Sequence, residues 1–526
     1  MSNNNNTSGF SRRSFMQRAG VVGITGLSLP AWMPRMAFAS SPDTVTAGDT
    51  LICVFLRGGM DGLSAVVPYN EADYFDQRPT IAVPDNKVLD LDGQFGLHPK
   101  MSPLHEIYQQ QDLAIVQAVG SPDPTRSHFT AMDFMERGTP GETTLHTGWI
   151  GRHLQTTAER NNSPFRAVGM GNKLQTSLRG PVQASVFKSI ADFHLRGRGR
   201  DVEEARVALE SLYQLGQGSD PRDGTYQMLA DEAGGTFEAA RALEALDDST
   251  YIPQNGAKYN KKSALGRSLS QVAQLIRADV GLEVACADAG GWDTHQFMGT
   301  HNSGRMATLL QNLAADLNAF YTDMGDLMSG ITVMVMSEFG RRAYENGSRG
   351  TDHGHGNCMF LMGGSIVGGH VYTDWPGLAP ENLDRGDLAI TTDYRDVLSE
   401  VIQMRLDNTA LDTIFPGYTP TYLGVAGAPT PISAANAGHR AIDITTNAPH
   451  FSEPMMTGKL VGEADMESEM LLDELMMDED SSGMMMGEDL FVDEPQDELL
   501  ADLLSETAED VSSTEQTNRV FLPIIK

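Results

Sequence analysis

The feature that most constrains this chain is a set of unbroken apolar runs, each ending in a glycine-rich polar turn. Leu51 to Leu56 runs into Arg57-Gly58-Gly59-Met60-Asp61-Gly62. Leu282 to Ala287 precedes Gly290-Gly291-Trp292-Asp293-Thr294-His295, and Ile331 to Met336 precedes Ser337-Glu338-Phe339-Gly340-Arg341. A strand without polar alternation needs apolar cover on both faces, as in a mostly parallel sheet. Leu113 to Val119 reads as a further strand, and Met359 to Met362 as another apolar run. Helical text lies between them, from Ser127 to Arg137, from Ser303 to Met328 and from Asp396 to Leu406. In the second of these, Met306, Leu309, Leu310, Leu313, Leu317, Phe320, Tyr321, Met324 and Leu327 share one helical face. Strands alternating with helices predict an α/β fold.

In such a sheet the loops beyond the strand ends converge, and ligands bind there. Asp61, Ser127, Asp293, His295, Glu338, Asp352, His353 and His355 all fall in loops predicted at that edge. Carboxylates and imidazoles gathered between glycines have the chemistry of a divalent-metal site. His353 and His355 are two apart and would share a face in an extended segment. Ser127 at a helix start meets free N–H groups and the positive end of the helix dipole, which favour its ionised form and bind anions. Arg126, Arg341 or Arg395 would clamp an anionic substrate. Each position also has a structural reading. Ser127 serves as a plain N-cap, Asp61 as a turn cap, Glu338 with Arg341 as a local ion pair, and Asp293 with His295 as a hydrogen-bonded pair. His98, His128, His146 and His153 read as structural or supporting, and Trp292 as packing.

Outside this core the text changes character. Ser11-Arg12-Arg13-Ser14-Phe15 opens a twin-arginine export signal over residues 1–39, with an Ala37-Phe38-Ala39 site before Ser40. Its apolar stretch is broken by Pro30, Pro34 and Arg35, so it is too short to span a membrane, and no later stretch approaches a span. The expected location is periplasmic or secreted, by way of the twin-arginine export machinery. Residues 187–278 read as a helical insertion with segments at Val202 to Leu215, Thr225 to Leu246 and Lys262 to Ala278. A linker follows over 425–450, and then an acidic, Met-rich tail over 451–526. The tail carries 21 acidic against 3 basic residues, more than half of the net charge of −32. That balance excludes binding to a nucleic-acid backbone and favours a disordered tail. Its many thioethers suit Cu(I), a separate possibility for that segment. Cys53, Cys286 and Cys358 read as buried strand thiols, with Cys358 near the His cluster.

Taken with the export signal, Leu56 to Gly62, Thr125-Arg126-Ser127-His128-Phe129, Gly290 to His295, Ser337 to Arg341 and Asp352 to Gly356 resemble the bacterial family called domain of unknown function 1501. The resemblance covers residues 47–424. It implies the alkaline phosphatase and sulfatase superfamily, with a central, mostly parallel sheet, helices on both faces and a metal centre at the strand ends. It further implies Asp61, Asp293, His295, Glu338, Asp352, His353 and His355 as metal ligands, with Ser127 in the nucleophile's place. Two departures stand out. The Cys-x-Pro-Ser-Arg sequence of sulfatases is absent, and Glu338-Phe339 replaces an Asp-His pair.

The expected function is an exported, metal-dependent hydrolase of phosphate or sulfate esters, acting on an anionic small molecule or glycan. Zn²⁺, Mn²⁺, Mg²⁺ and Ca²⁺ all suit parts of the ligand set, and imidazoles tilt the choice toward Zn²⁺ or a transition metal. The alternative is a non-catalytic protein that keeps the fold for cell-surface or glycan binding.

Overall fold

The computed structural model describes residues 49–157, 163–190 and 251–427. The export signal, the first two helical segments of the insertion, the linker beyond Gly427 and the acidic tail lie outside the described residues.

The long apolar runs form the centre of the sheet. These strands are β1 (Thr50–Leu56), β5 (Leu113–Gly120), β8 (Val284–Ala289), β9 (Ile331–Ser337) and β10 (Asn357–Met362). Shorter strands complete it: β6 (Ala167–Met170), β7 (Ser185–Phe187), β11 (Val371–Tyr372) and β12 (Thr392–Asp393). The order is β11-β5-β10-β9-β1-β8-β6-β7, with β12 also on β5, nine strands in all. β1 pairs in parallel with β8 and β9, and only β10 runs against its neighbours β5 and β9. This is an α/β fold with a mixed, mostly parallel sheet. A separate antiparallel sheet joins β2 (Val66–Val67), β3 (Leu89–Asp90) and β4 (Gly96–Leu97).

The unbroken hydrophobicity of β1 has the predicted cause. Ile52, Val54 and Leu56 enter one core with the helices Ala264–Arg277 and Arg305–Met324. Leu51, Cys53 and Phe55 enter the opposite core with Trp149–Thr156 and Tyr394–Arg405. Each such side chain contributes roughly 1.5–3 kcal/mol through burial, so both layers are needed to keep the strand dry. The helix Arg305–Met324 buries Met306, Leu310, Leu313, Leu317, Phe320 and Met324, while Leu309, Tyr321 and Leu327 pack at its edge. It stops at Gly325, whose φ of 53° breaks the helical path. Ala264–Arg277, read from sequence as the end of an insertion, packs within the same layer beside β8. No helix among the described residues is long and apolar enough to cross a membrane.

In the nine-stranded sheet all strands except β10 point the same way. The carboxyl ends of β5, β9, β1 and β8 therefore share an edge with the amino end of β10. The loops carrying Ser127, Glu338, Asp61, Asp293 and His353 open there.

Candidate metal centre at the strand ends

Two backbone devices build the centre. The loop after β9 and the segment before β10 lie antiparallel, with an isolated bridge between Arg341 and His353. Gly340 N donates to His355 O at 2.9 Å and Gly354 N to Gly340 O at 2.9 Å. The loop after β1 then slips beneath the Asp293 segment. Gly58 has φ +116°, and a Cβ there would sit 2.6 Å from the Asp293 backbone nitrogen. Only glycine combines that dihedral with that approach.

Within this frame three imidazoles face one carboxylate. His128, at the first position of the helix His128–Arg137, places Nε2 3.6 Å from Asp293 Oδ1. His353 Nε2 lies 3.6 Å and His295 Nε2 3.2 Å from the same oxygen. The donor atoms of His128, Asp293 and His353 all fall within 4.8 Å of one another, a spacing that one metal ion bridges.

The outward nitrogens fix the tautomers. His128 Nδ1 is 2.8 Å from Glu338 Oε1, and His295 Nδ1 is 2.9 Å from Asp352 Oδ1. His353 Nδ1 is 2.8 Å from the carbonyl oxygen of Arg126. Ionised carboxylates and carbonyls only accept, so each Nδ1 carries a proton and each ring turns its Nε2 inward. The consequence is an imbalance. His128 Nε2 is buried with no hydrogen-bond partner. The Nε2 atoms of His295 and His353 stand 2.9 Å apart. Two lone pairs do not rest at that distance unless a proton or a metal cation lies between them.

Supporting residues hold these rings. Glu338, fully buried, also accepts from Gly58 N at 2.8 Å and from Ser337 Oγ at 3.0 Å. It thus acts behind His128. The Phe339 ring packs 4.8 Å from the His128 ring and 5.0 Å from that of His353, which gives the Glu338-Phe339 departure a packing role. Asp352 supports His295, and its hydrogen bond from that ring holds its carboxyl below the usual range. Burial pushes the Asp293 carboxyl up. The hydrogen bond and charge of Arg341 outweigh it and hold the group well below the usual range.

Arg341 is enclosed, 1% exposed. It donates to Gly59 O at 2.6 Å, Thr351 O at 3.0 Å, Gly58 O and Asp293 Oδ1 at 2.6 Å. Those bonds occupy the guanidinium, so Arg341 positions Asp293 and ties three loops instead of clamping a substrate. Arg126 pairs with Asp387. Arg395 is held by Asp393 at 2.7 Å.

Two predicted ligands stand apart. Asp61 is fully buried; Arg78 Nη1 reaches its two oxygens at 2.9 and 3.0 Å, Ser64 N donates at 3.0 Å and Thr351 Oγ1 at 3.0 Å. It caps the helical turn Gly62–Ala65 and compensates a buried arginine. His355 places Nδ1 3.2 Å from Asp384 Oδ2 and Nε2 3.0 Å from Ser121 O, both away from the group. Conversely, His128 was read as a supporting residue and instead joins the inward-facing set. The one signal for it was its place at a helix start just after a strand. Ser127 is the exposed N-cap of that helix, and its side chain makes no capping bond.

Residues 49–401 match the family described as protein of unknown function (DUF1501). The chain belongs to the DUF1501 family. No curated protein matches it. The match to the DUF1501 family takes in β1 through most of the helix Tyr394–Arg405, and therefore every residue of the histidine cluster.

Proposed function

We propose that this DUF1501 protein is an exported, metal-dependent hydrolase of phosphate or sulfate esters, built on an alkaline phosphatase/sulfatase-type sheet. One observation carries the reading: three imidazoles, anchored through their Nδ1 atoms, crowd their Nε2 atoms within 3.6 Å of Asp293, where that of His128 has no hydrogen-bond partner and those of His295 and His353 face each other at 2.9 Å. His128, His353 and Asp293 would hold the ion, with His295 as a fourth donor. Donor separations around a four-coordinate zinc are about 3.4 Å, and the separations of 2.9 to 3.6 Å here straddle that value. Glu338, Asp352 and the Arg126 carbonyl supply the outward hydrogen bonds that raise ligand basicity. Nitrogen donors favour Zn²⁺ over Mg²⁺ or Ca²⁺. A bound divalent ion supplies Lewis acidity, drawing charge from an ester oxygen.

Ser127 lies between two residues tied to the cluster, Arg126 through its carbonyl and His128 through its ring. Its hydroxyl heads a ten-residue helix, where free N–H groups stabilise an anion. Attack by Ser127 Oγ forms a Ser–O–P or Ser–O–S bond as the bond to the departing alcohol breaks. The serine proton leaves with that alcohol. Water then cleaves the serine ester, restoring Ser127 and releasing phosphate or sulfate. The partially exposed carboxylate of Asp293 opens the centre to solvent and substrate.

The test is metal analysis of the purified chain, paired with turnover of 4-nitrophenyl phosphate and 4-nitrophenyl sulfate. One equivalent of divalent metal and turnover of either ester are expected. Ser127→Ala should lower kcat by at least a hundred-fold while keeping the metal. Full turnover in that variant removes the covalent route, and a metal-loaded chain inert toward both esters removes the hydrolase.

A further inference from the structure

Six large apolar side chains are exposed among the described residues, and three of them belong to the segments that carry the histidine cluster. Phe129 is 84% exposed and directly follows His128; Phe297 is 73% exposed and stands two residues after His295. Tyr344 follows Arg341 by three residues, with the Arg342 guanidinium 5.6 Å over its ring. Single exposed apolar residues are ordinary, but their concentration around one polar centre marks a contact surface.

Phe297 also carries a backbone cost. Its φ is +47°, in the left-handed region that bulky residues rarely adopt. The conformation is held by Phe297 N donating to Ser348 O at 2.9 Å and Met298 N to Arg349 O at 3.1 Å. The ring receives no burial in return. Strain kept without packing gain is a signature of a binding position. Exposed cations stand beside these segments: Arg349 opposite Met298, and Arg305, whose Nε donates to Gly291 O at 2.9 Å.

We propose that Phe129 and Phe297 form a stacking platform for the alcohol side of the substrate, which assigns this centre to esters of planar, apolar alcohols, aryl phosphates or sulfates foremost. The assignment rests on the ester-hydrolase reading above. Phenyl rings lack the hydroxyl or N–H that tyrosine and tryptophan add beside a bound ring, so they reward a flat apolar partner over a sugar. Arg305 and Arg349 suit the anionic side of such an ester.

The experiment is calorimetric binding of phenylphosphonate and methylphosphonate, neither of which can be hydrolysed as an ester, to the full chain loaded with Zn²⁺. Glucose 6-phosphate is the sugar comparison. Phenylphosphonate should bind about ten-fold more tightly than methylphosphonate. Phe129→Ala and Phe297→Ala together should erase that margin while methylphosphonate affinity stays within two-fold. Both residues are exposed, so folding tolerates the change. Equal affinity for the two phosphonates, a margin that survives in the double variant, or tighter binding of glucose 6-phosphate overturns the aryl assignment alone. If neither phosphonate binds, the aryl assignment and the ester reading beneath it both fall.

Discussion

Asp61 and Asp293 look alike in sequence, since each is an acid placed just after a glycine pair at the end of a buried strand. Their surroundings separate them. Asp61 is sealed from solvent, and every contact with Arg78, Ser64 and Thr351 satisfies a lone pair. Asp293 stands half exposed, with Arg341 behind it and three imidazole nitrogens before it. The first is a closed account in which each donor has its acceptor. The second has more lone pairs than protons. On the proposed reading, a strand-end carboxylate serves as a ligand only where the surrounding polar groups are left short of a cation.

The sharpest break between the regions is expected from substitutions in the histidine set. His353→Ala should weaken Zn²⁺ binding by three orders of magnitude or more, measured by competition with a chromophoric chelator, and leave the apo melting temperature nearly unchanged. Retained affinity would detach His353 from the centre. Arg78→Met should act in reverse. It leaves the Asp61 charge buried and unpaired, at a cost of about 3–5 kcal/mol by denaturant titration. The folded fraction should still bind metal. Loss of metal with unchanged stability would merge the two regions.

A smaller effect concerns a histidine outside the cluster. His98 is buried, and burial pushes its imidazole down to about 4. Its Nδ1 accepts from Lys100 N at 3.1 Å, so the folded state keeps this ring neutral. The unfolded chain binds a proton near 6.5 and the folded chain does not until near 4. Stability is therefore fully present above about 6.5 and falls as pH drops toward 4, by ~3 kcal/mol at most. His98→Gln should flatten that part of the stability–pH curve, and an unaltered slope would refute the assignment.

Glu338→Gln is the mildest probe of the centre. It keeps the shape and removes the charge behind His128, so Zn²⁺ affinity should fall ten- to hundred-fold with His128 still bound. A loss as large as that of His353→Ala would instead make Glu338 a direct ligand, as the family resemblance implies.

The long central strands were legible because burial on both faces writes a continuous apolar run. β6, β7, β11 and β12 were not, since two to four residues such as Ala167-Val168-Gly169-Met170 carry no period. The helix Arg305–Met324 was legible from its spacing, but the same spacing carried on to Met328, past the break at Gly325 that ends the helix. For the site, Asp293, His295 and His353 were named as ligands and do converge. Glu338 and Asp352 were named too, and both lie one hydrogen bond further out. That difference depends on side-chain direction, which residue type does not encode. The Asp61 partner Arg78 sits 17 residues away in sequence, beyond any local motif. His353 and His355 share a motif, yet one faces Asp293 and the other faces Ser121.

The most direct test is crystallography of the Zn²⁺-loaded chain with data collected across the zinc absorption edge. The account predicts one anomalous peak within bonding distance of His128 Nε2, His353 Nε2 and an Asp293 oxygen, with Asp61 and His355 bonded as they are here. A peak on Asp61 or His355, or none at the three imidazoles, would contradict it.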